Sequence, residues 1–455
     1  MTPLFVIAAL LAASPTGLGP KEAEVRLYIR PMPAPRPALK YQLLPEAGEL
    51  NPGNAAHDYL RCFAEQRPFF YSEKGVADRA RYRKMPLLEL RLERVTQYGG
   101  GPCDRADWAA RLDTIDWQAL PRIREGGLEG LPPELGPLQI LGETLQARFR
   151  VEVANQRFDH GIRSAKTMLA MGRHLGEHPT EVAGLLGMSV AHLALDTLGE
   201  MVQQARCPNL YWALTDLPCP LVDLRRGIQG ERIRVAAEWR TLRGDAPMTQ
   251  AELEALVGRL SGVLSFAREQ AGLPPRNLRH ELRARAEDRT GIDAARRRLV
   301  EAGSARDLVD RLPPLQVVLL DEKRSFEERR DERIKLLGLS LWQIERGEEG
   351  PSDRDGLLAD LLPDVVKLRR TQAALEQQVA LLRHVEALRL YAAEHGGALP
   401  AKLSDVTVPL PDDPVTGRRF AYATEGMVAH IRGGSPRGDG GHSRSEIHYV
   451  VTMLK

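Results

Sequence analysis

Residues 141–204 read LGETLQARFRVEVANQRFDHGIRSAKTMLAMGRHLGEHPTEVAGLLGMSVAHLALDTLGEMVQQ, and this stretch decides the fold. Leu145, Phe149, Val153, Phe158, Ile162, Ala165 and Leu169 recur at helical spacing, which predicts one long helix over 141–177. Pro179-Thr180 stops that helix and starts a second over 181–204. Two helices joined so tightly form an αα-hairpin. Its facing surfaces carry Gly161, Ala165, Gly172, Gly184, Gly187, Ser189 and Ala191, small residues that let two helix backbones come close.

The pattern continues outward from this hairpin. A short helix is expected over 208–217 and a longer one over 220–243. Thr249 with Glu252 three residues on is a capping box, starting a helix that runs to about residue 271. Further helices are expected over 278–288, 293–301 and 315–345. Towards the N-terminus, the Asn51-Pro52-Gly53-Asn54 turn starts a helix over 55–64, another follows over 78–95, and 126–137 reads as a boundary loop. No fixed-period repeat is present. The fold class is therefore mainly α, an irregular α/α helical array.

Both ends differ from this array. Residues 1–20 hold an apolar run, 4–13, followed by small residues and turn formers, and read as a signal peptide without its usual basic start. Residues 21–50 form a Pro-rich lead-in with a short strand over 25–29. An N-terminal helical region, 51–130, leads to the array, 131–346, and then to a polar linker, 347–356. Residues 357–455 form a small C-terminal α+β module, a long amphipathic helix over 361–395 followed by an antiparallel sheet with strands over 420–423, 427–432 and 446–453. The Gly/Ser/Arg-rich loop 433–444 is expected to be mobile. Outside the leader, no stretch reads as a membrane span.

Composition narrows the function. The 455 residues carry a net charge of +2, which opposes a nucleic-acid-binding surface. Aromatic residues make up only 5% of the chain, too few for a glycan groove built on stacking platforms. Four cysteines, Cys62, Cys103, Cys207 and Cys219, fit an oxidising compartment by even count and lack the spacing of common zinc sites. A Cys62–Cys103 disulfide and isolated buried thiols both stay open. No G-x-S-x-G elbow, P-loop or G-x-G-x-x-G fingerprint is present.

His174-Leu175-Gly176-Glu177-His178 spells H-x-x-E-H. On a helix, residues four apart share a face, so both imidazoles could hold Zn²⁺ while the glutamate polarises its water. The stretch resembles the inverzincin metallopeptidases. That resemblance implies His174 and His178 as metal ligands, Glu177 as the catalytic base, and Glu252 or Glu254 as a third ligand. Pro179 follows at once and places His178 at or past the helix end. No cofactor is expected unless this zinc reading holds.

Two further resemblances concern longer stretches. Leu388 to Pro400 closes a helix in Gly396-Gly397-Ala398-Leu399-Pro400, and Asp413-Pro414-Val415-Thr416-Gly417-Arg418-Arg419-Phe420-Ala421-Tyr422 opens the sheet. This segment resembles the globular part of type II secretion pseudopilins. It covers about a fifth of the chain and lacks their N-terminal apolar helix, which implies borrowed architecture and a protein-contact surface. Glu177-His178-Pro179-Thr180 and Cys207-Pro208-Asn209-Leu210-Tyr211-Trp212-Ala213-Leu214 resemble segments of uncharacterised exported helical bacterial proteins, a likeness that brings no activity with it. Tyr211 and Trp212 are candidate contact residues or core anchors. The resulting expectation is an exported, periplasmic or extracellular helical protein with a structural or protein-binding role and a protein partner. Its alternatives are a zinc-dependent hydrolase and an accessory of a secretion or envelope assembly.

Overall fold

The structure is a computed structural model that describes residues 23–64, 66–126, 132–347, 356–434 and 447–455. The expected leader, most of the linker 347–356, part of the loop 126–137 and nearly all of the loop 433–444 lie outside the described residues.

The chain opens with β1 (Ala23–Ile29) and β2 (Asn51–Asn54), then α1 (Ala55–Arg61), α2 (Arg67–Tyr71), α3 (Glu73–Lys84), α4 (Leu87–Leu92) and α5 (Gly100–Ala109). The helix expected over 78–95 is thus two helices. Pro86 cannot donate a backbone hydrogen bond, and Met85 before it turns extended. Next come β3 (Leu112–Thr114), which pairs parallel with β2, and α6 (Leu120–Gly126).

The central bundle is α7 (Leu135–Ala154), α8 (Phe158–Gly176) and α9 (Glu181–Met201). The single helix expected over 141–177 is broken here. Gln156 takes a left-handed φ of 58°, while the Arg157 N–H donates to Glu152 O at 3.0 Å and the Gln156 N–H to Val153 O at 2.9 Å. These bonds close a Schellman-type stop. Asn155 donates its side-chain amide to Val95 O and Val151 O, fixing the stop from outside the helix. Hydrophobic periodicity carried straight across this break because both helices bury apolar faces in the same core.

The hairpin of α8 and α9 forms as its small residues require. A Cβ on Gly187 would overlap the Gly172 carbonyl oxygen, and one on Gly172 would lie 2.8 Å from that of Gly187. Helix α9 is long and apolar enough, by length and composition, to cross a membrane, which corrects the expectation that no stretch outside the leader reads as a span; here it lies largely buried in the core of the bundle.

The array continues through α10 (Tyr211–Thr215), α11 (Arg225–Glu238), α12 (Gln250–Gln270), α13 (Leu278–Glu287), α14 (Arg289–Glu301), α15 (Arg306–Val309), α16 (Pro314–Ile334) and α17 (Leu341–Arg346). The Thr249 capping box is present, with the Glu252 N–H donating to Thr249 Oγ1 at 3.3 Å and the Thr249 N–H to Glu252 Oε2 at 2.7 Å. The helix expected over 315–345 ends at Ile334 in a 3-10 turn, and Ser340 caps α17 separately.

Helix α18 (Val365–Glu394) leads to β4 (Ala421–Glu425), β5 (Val428–Gly433) and β6 (Ile447–Met453). Leu368, Leu375 and Leu382 pack on the central bundle, while Leu381, Val385, Leu388 and Ala392 pack under the sheet. The helix is therefore covered on more than the one stripe that its sequence predicts. The sheet order is β1-β6-β5-β4. It is mixed, not antiparallel as expected, because β1 from the opposite end of the chain joins β6 in parallel with Leu27 beside Val451. Edge strands attract partners that cover their free backbone groups, and β1 does this for β6.

Polar side chains inside α18 tie these parts together. Arg389 is 1% exposed and Glu386 fully buried. The guanidinium donates to both Glu386 carboxylate oxygens at 2.9 Å, to Cys207 O at 2.7 Å, to Pro208 O at 3.3 Å and to Arg30 O at 3.1 Å. Asp413 plays a similar part at the sheet entrance. Its carboxylate accepts from Gln377 Nε2, the Val415 and Gly434 backbone N–H groups and the Thr416 hydroxyl, at 2.7–3.1 Å.

Two stability outcomes follow. Gly187→Ala should cost about 2–3 kcal/mol in chemical denaturation, because the new methyl group meets backbone, whereas Gly48→Ala, with nothing within 4 Å of its Cβ, should change little. Arg389→Ala should cost about 3–5 kcal/mol by stranding a buried carboxylate and three carbonyls.

Candidate functional site

His174 lies in the last turn of α8, where its Nδ1 shares a 3.0 Å hydrogen bond with the Tyr59 hydroxyl. Burial, then the neighbouring Arg173 charge, pushes its pKa down to about 4, so the imidazole is neutral at physiological pH. Glu177 caps α8 and points into solvent. His178 sits beyond the helix and is fully buried, with Nδ1 2.9 Å from Thr180 Oγ1 and Nε2 3.4 Å from Glu134 Oε1. Arg122 also donates to Glu134. Burial raises the Glu134 pKa, but the hydrogen bonds from His178 and Arg122 outweigh it and bring it down to about 2. Trp117 fills the space between, its Nε1–H donating to His174 O at 2.9 Å and its ring 5.5 Å from that of His178.

The two imidazoles thus meet different partners, and Glu177 is exposed. Glu252 is held by Thr249 and Arg243, and Glu254 by Arg279 and Arg283, all on or beside α12 and α13. Among the described residues, no group of three or more His, Cys, Asp or Glu is arranged as a metal site. One contact of the motif reaches the start of the next helix. His178 fixes the Thr180 hydroxyl, and Thr180 accepts from the Ala183 N–H to cap α9.

The other sequence candidates also turn inward. Tyr211 is fully buried, donates its hydroxyl to Pro409 O and lies 5.7 Å below the Arg383 guanidinium. Its apolar area anchors α10 against α18, so of the two readings for Tyr211 the structure gives the core anchor rather than the contact surface; Trp212 beside it is half-buried. All four cysteines are free thiols, with Cys219 the exposed one among them.

The cap at Thr180 places Glu181 at the first position of α9, on the wall of a recess of about 320 Å³. Gly227 and Gly230 let α11 rest directly on the Pro179-Thr180 backbone, since a Cβ on Gly230 would overlap the Pro179 carbonyl. That contact brings Glu231 to Glu181, whose N–H donates to Glu231 Oε1 at 3.4 Å. Apolar walls come from Ile228 and Val235 of α11, Val263 and Phe266 of α12, Phe326 of α16, and Leu361.

The charges around this recess are almost all spoken for. Arg234 pairs with Glu231 at 2.9 Å, Arg330 and Arg232 pair with Asp331 at 2.9 and 3.7 Å, and Asp360 pairs with Arg268. Asp364 accepts from the Lys367 N–H to cap α18. The Glu181 carboxyl has no hydrogen bond or ion pair among the described residues. Burial, then the Glu231 and Asp364 carboxylates, pushes its pKa up to about 7.

A second buried cluster joins the bundle to α18. Gln378 bridges His192 and Asp196, with Nδ1 of His192 2.7 Å from Gln378 Oε1 and Gln378 Nε2 donating to Asp196 Oδ1 at 2.6 Å. The helical i, i+4 spacing of His192 and Asp196 was visible in the sequence, but their bridge comes from a distant helix. No protein-family model, no curated protein and no solved structure matches the chain.

Burial raises the Asp196 pKa to about 6 against the opposing hydrogen bond from Gln378, with a smaller upward contribution from the Glu200 charge. An acid whose pKa is raised by folding leaves stability intact at low pH and weakens it as pH rises from the unfolded value through about 6. Asp196→Asn keeps the acceptor for Gln378 and removes the charge. It should raise unfolding free energy by about 1–2 kcal/mol at pH 8 and by almost nothing at pH 4, as read from denaturation curves at the two pH values.

Proposed function

We propose that the protein is a binding scaffold acting outside the cytoplasm, and that the recess at the start of α9 is its ligand seat. The observation that carries this reading is the Glu181 carboxyl, set in an apolar-walled hollow and without an ionic partner among the described residues. Ligand seats combine apolar area, which supplies affinity, with a few polar groups that set orientation. A volume of about 320 Å³ lies within the range of small-molecule sites. The elements around it are held from behind by the Gly172–Gly187 contact and the His178–Thr180 bond, so the hollow is formed before anything enters it. The apolar leader at residues 4–13 supports export.

The neutral fluorescent probe N-phenyl-1-naphthylamine tests this reading. It should bind the full chain with a stoichiometry near one. Ala267→Trp, on the α12 wall, should weaken binding at least tenfold while leaving the melting temperature close to that of the parent. Equal binding to parent and variant, or no binding at all, would show that the recess is not a ligand seat.

A further inference from the structure

We propose that the recess recognises an amphiphilic amine, a monocation with an apolar body of roughly eight to fifteen heavy atoms, whose ammonium group docks on Glu181. This inference rests on the binding reading above and specifies its ligand. Three features of the wall select the charge. Glu181 faces Glu231 from α11 and Asp364 from the start of α18, both of which repel its carboxylate, while Arg234 and Lys367 attract it more weakly without touching it. A cation placed there relieves that repulsion, and its N–H groups satisfy an acceptor that has no donor among the described residues.

An anion fares worse at the same place. Arg234, Arg232 and Arg330 are each engaged by a carboxylate, so an anionic ligand would have to break one of those pairs. A compact metal ion is also poorly served, because Glu231 is held by Arg234 and Asp364 by the cap of α18, which leaves one uncommitted carboxylate. The apolar walls, with Phe266 47% exposed at the rim and Phe326 buried below, match the body of an amphiphile.

The same neighbours set a pH signature. Burial, Glu231 and Asp364 hold the Glu181 pKa up at about 7, so the empty recess carries a partly protonated carboxyl at neutral pH. An alkylammonium ion stays charged through this range and needs the ionised carboxylate. Affinity should therefore rise between pH 6 and pH 8 and level off above.

Displacement of bound N-phenyl-1-naphthylamine from the full chain by n-octylamine, 1-octanol and octanoate decides the matter. At pH 8 octylamine should compete at least tenfold better than octanol or octanoate, with an affinity that falls as pH drops to 6. In Glu181→Gln that preference and its pH dependence should vanish while binding of the probe and of octanol is kept, which also shows that the variant folds. Equal competition by all three compounds, an amine preference surviving in Glu181→Gln, or no displacement by any of them would overturn the amine inference and leave the ligand seat standing. Failure of the probe to bind the parent, or its equal binding to Ala267→Trp, would remove the seat itself.

Discussion

Arg389 carries a positive charge at a point where the protein leaves it 1% exposed, and its counter-ion Glu386 sits one helical turn earlier. A buried charge survives only when it is paired and its remaining hydrogen-bonding groups are satisfied. Glu386 alone cannot do that, so carbonyls of Cys207, Pro208 and Arg30 complete the shell. Two remote chain segments are thereby drawn to one turn of α18. The strand that follows from Arg30 back to Ala23 is the strand that closes the sheet beside β6. Burial of α18, closure of the sheet and anchoring of the loop after the central bundle therefore meet at one guanidinium.

A second constraint, purely steric, governs the other end of the bundle. The Gly172–Gly187 contact sets the distance between α8 and α9, and Gly227 with Gly230 sets that between α11 and the turn joining them. Between these contacts lies the buried trio of His178, Trp117 and Glu134. The turn is held from three sides, and Glu181 leaves it in a defined direction. His178, from the H-x-x-E-H stretch, contacts the Thr180 hydroxyl that caps the helix beginning with Glu181.

Local signals in the sequence were read well where their cause is local. The Thr249 capping box, the stop at Pro179 and the small-residue faces of the hairpin all depend on residues within a few positions of one another. Misreadings arose where a break is imposed from a distance. The 141–177 helix is interrupted by Asn155, whose side chain answers to Val95, and apolar periodicity is blind to that contact. Tyr211 was open between contact residue and core anchor, and its burial as an anchor rests on Pro409 and Arg383, far along the chain. The recess was not legible at all, since its walls come from residues between 181 and 364 on separate helices.

What the sequence by itself determined is the class of fold: helical periodicity, caps and turn residues are nearest-neighbour physics, and they specify an α/α array with an α+β end. The tertiary structure alone decided that β1 joins β6 in parallel, that α18 is wrapped by bundle and sheet, and that the Glu181 carboxyl has no hydrogen bond or ion pair among the described residues. Those outcomes depend on desolvation and on which remote groups come within hydrogen-bonding distance. Neither quantity exists until the helices have packed.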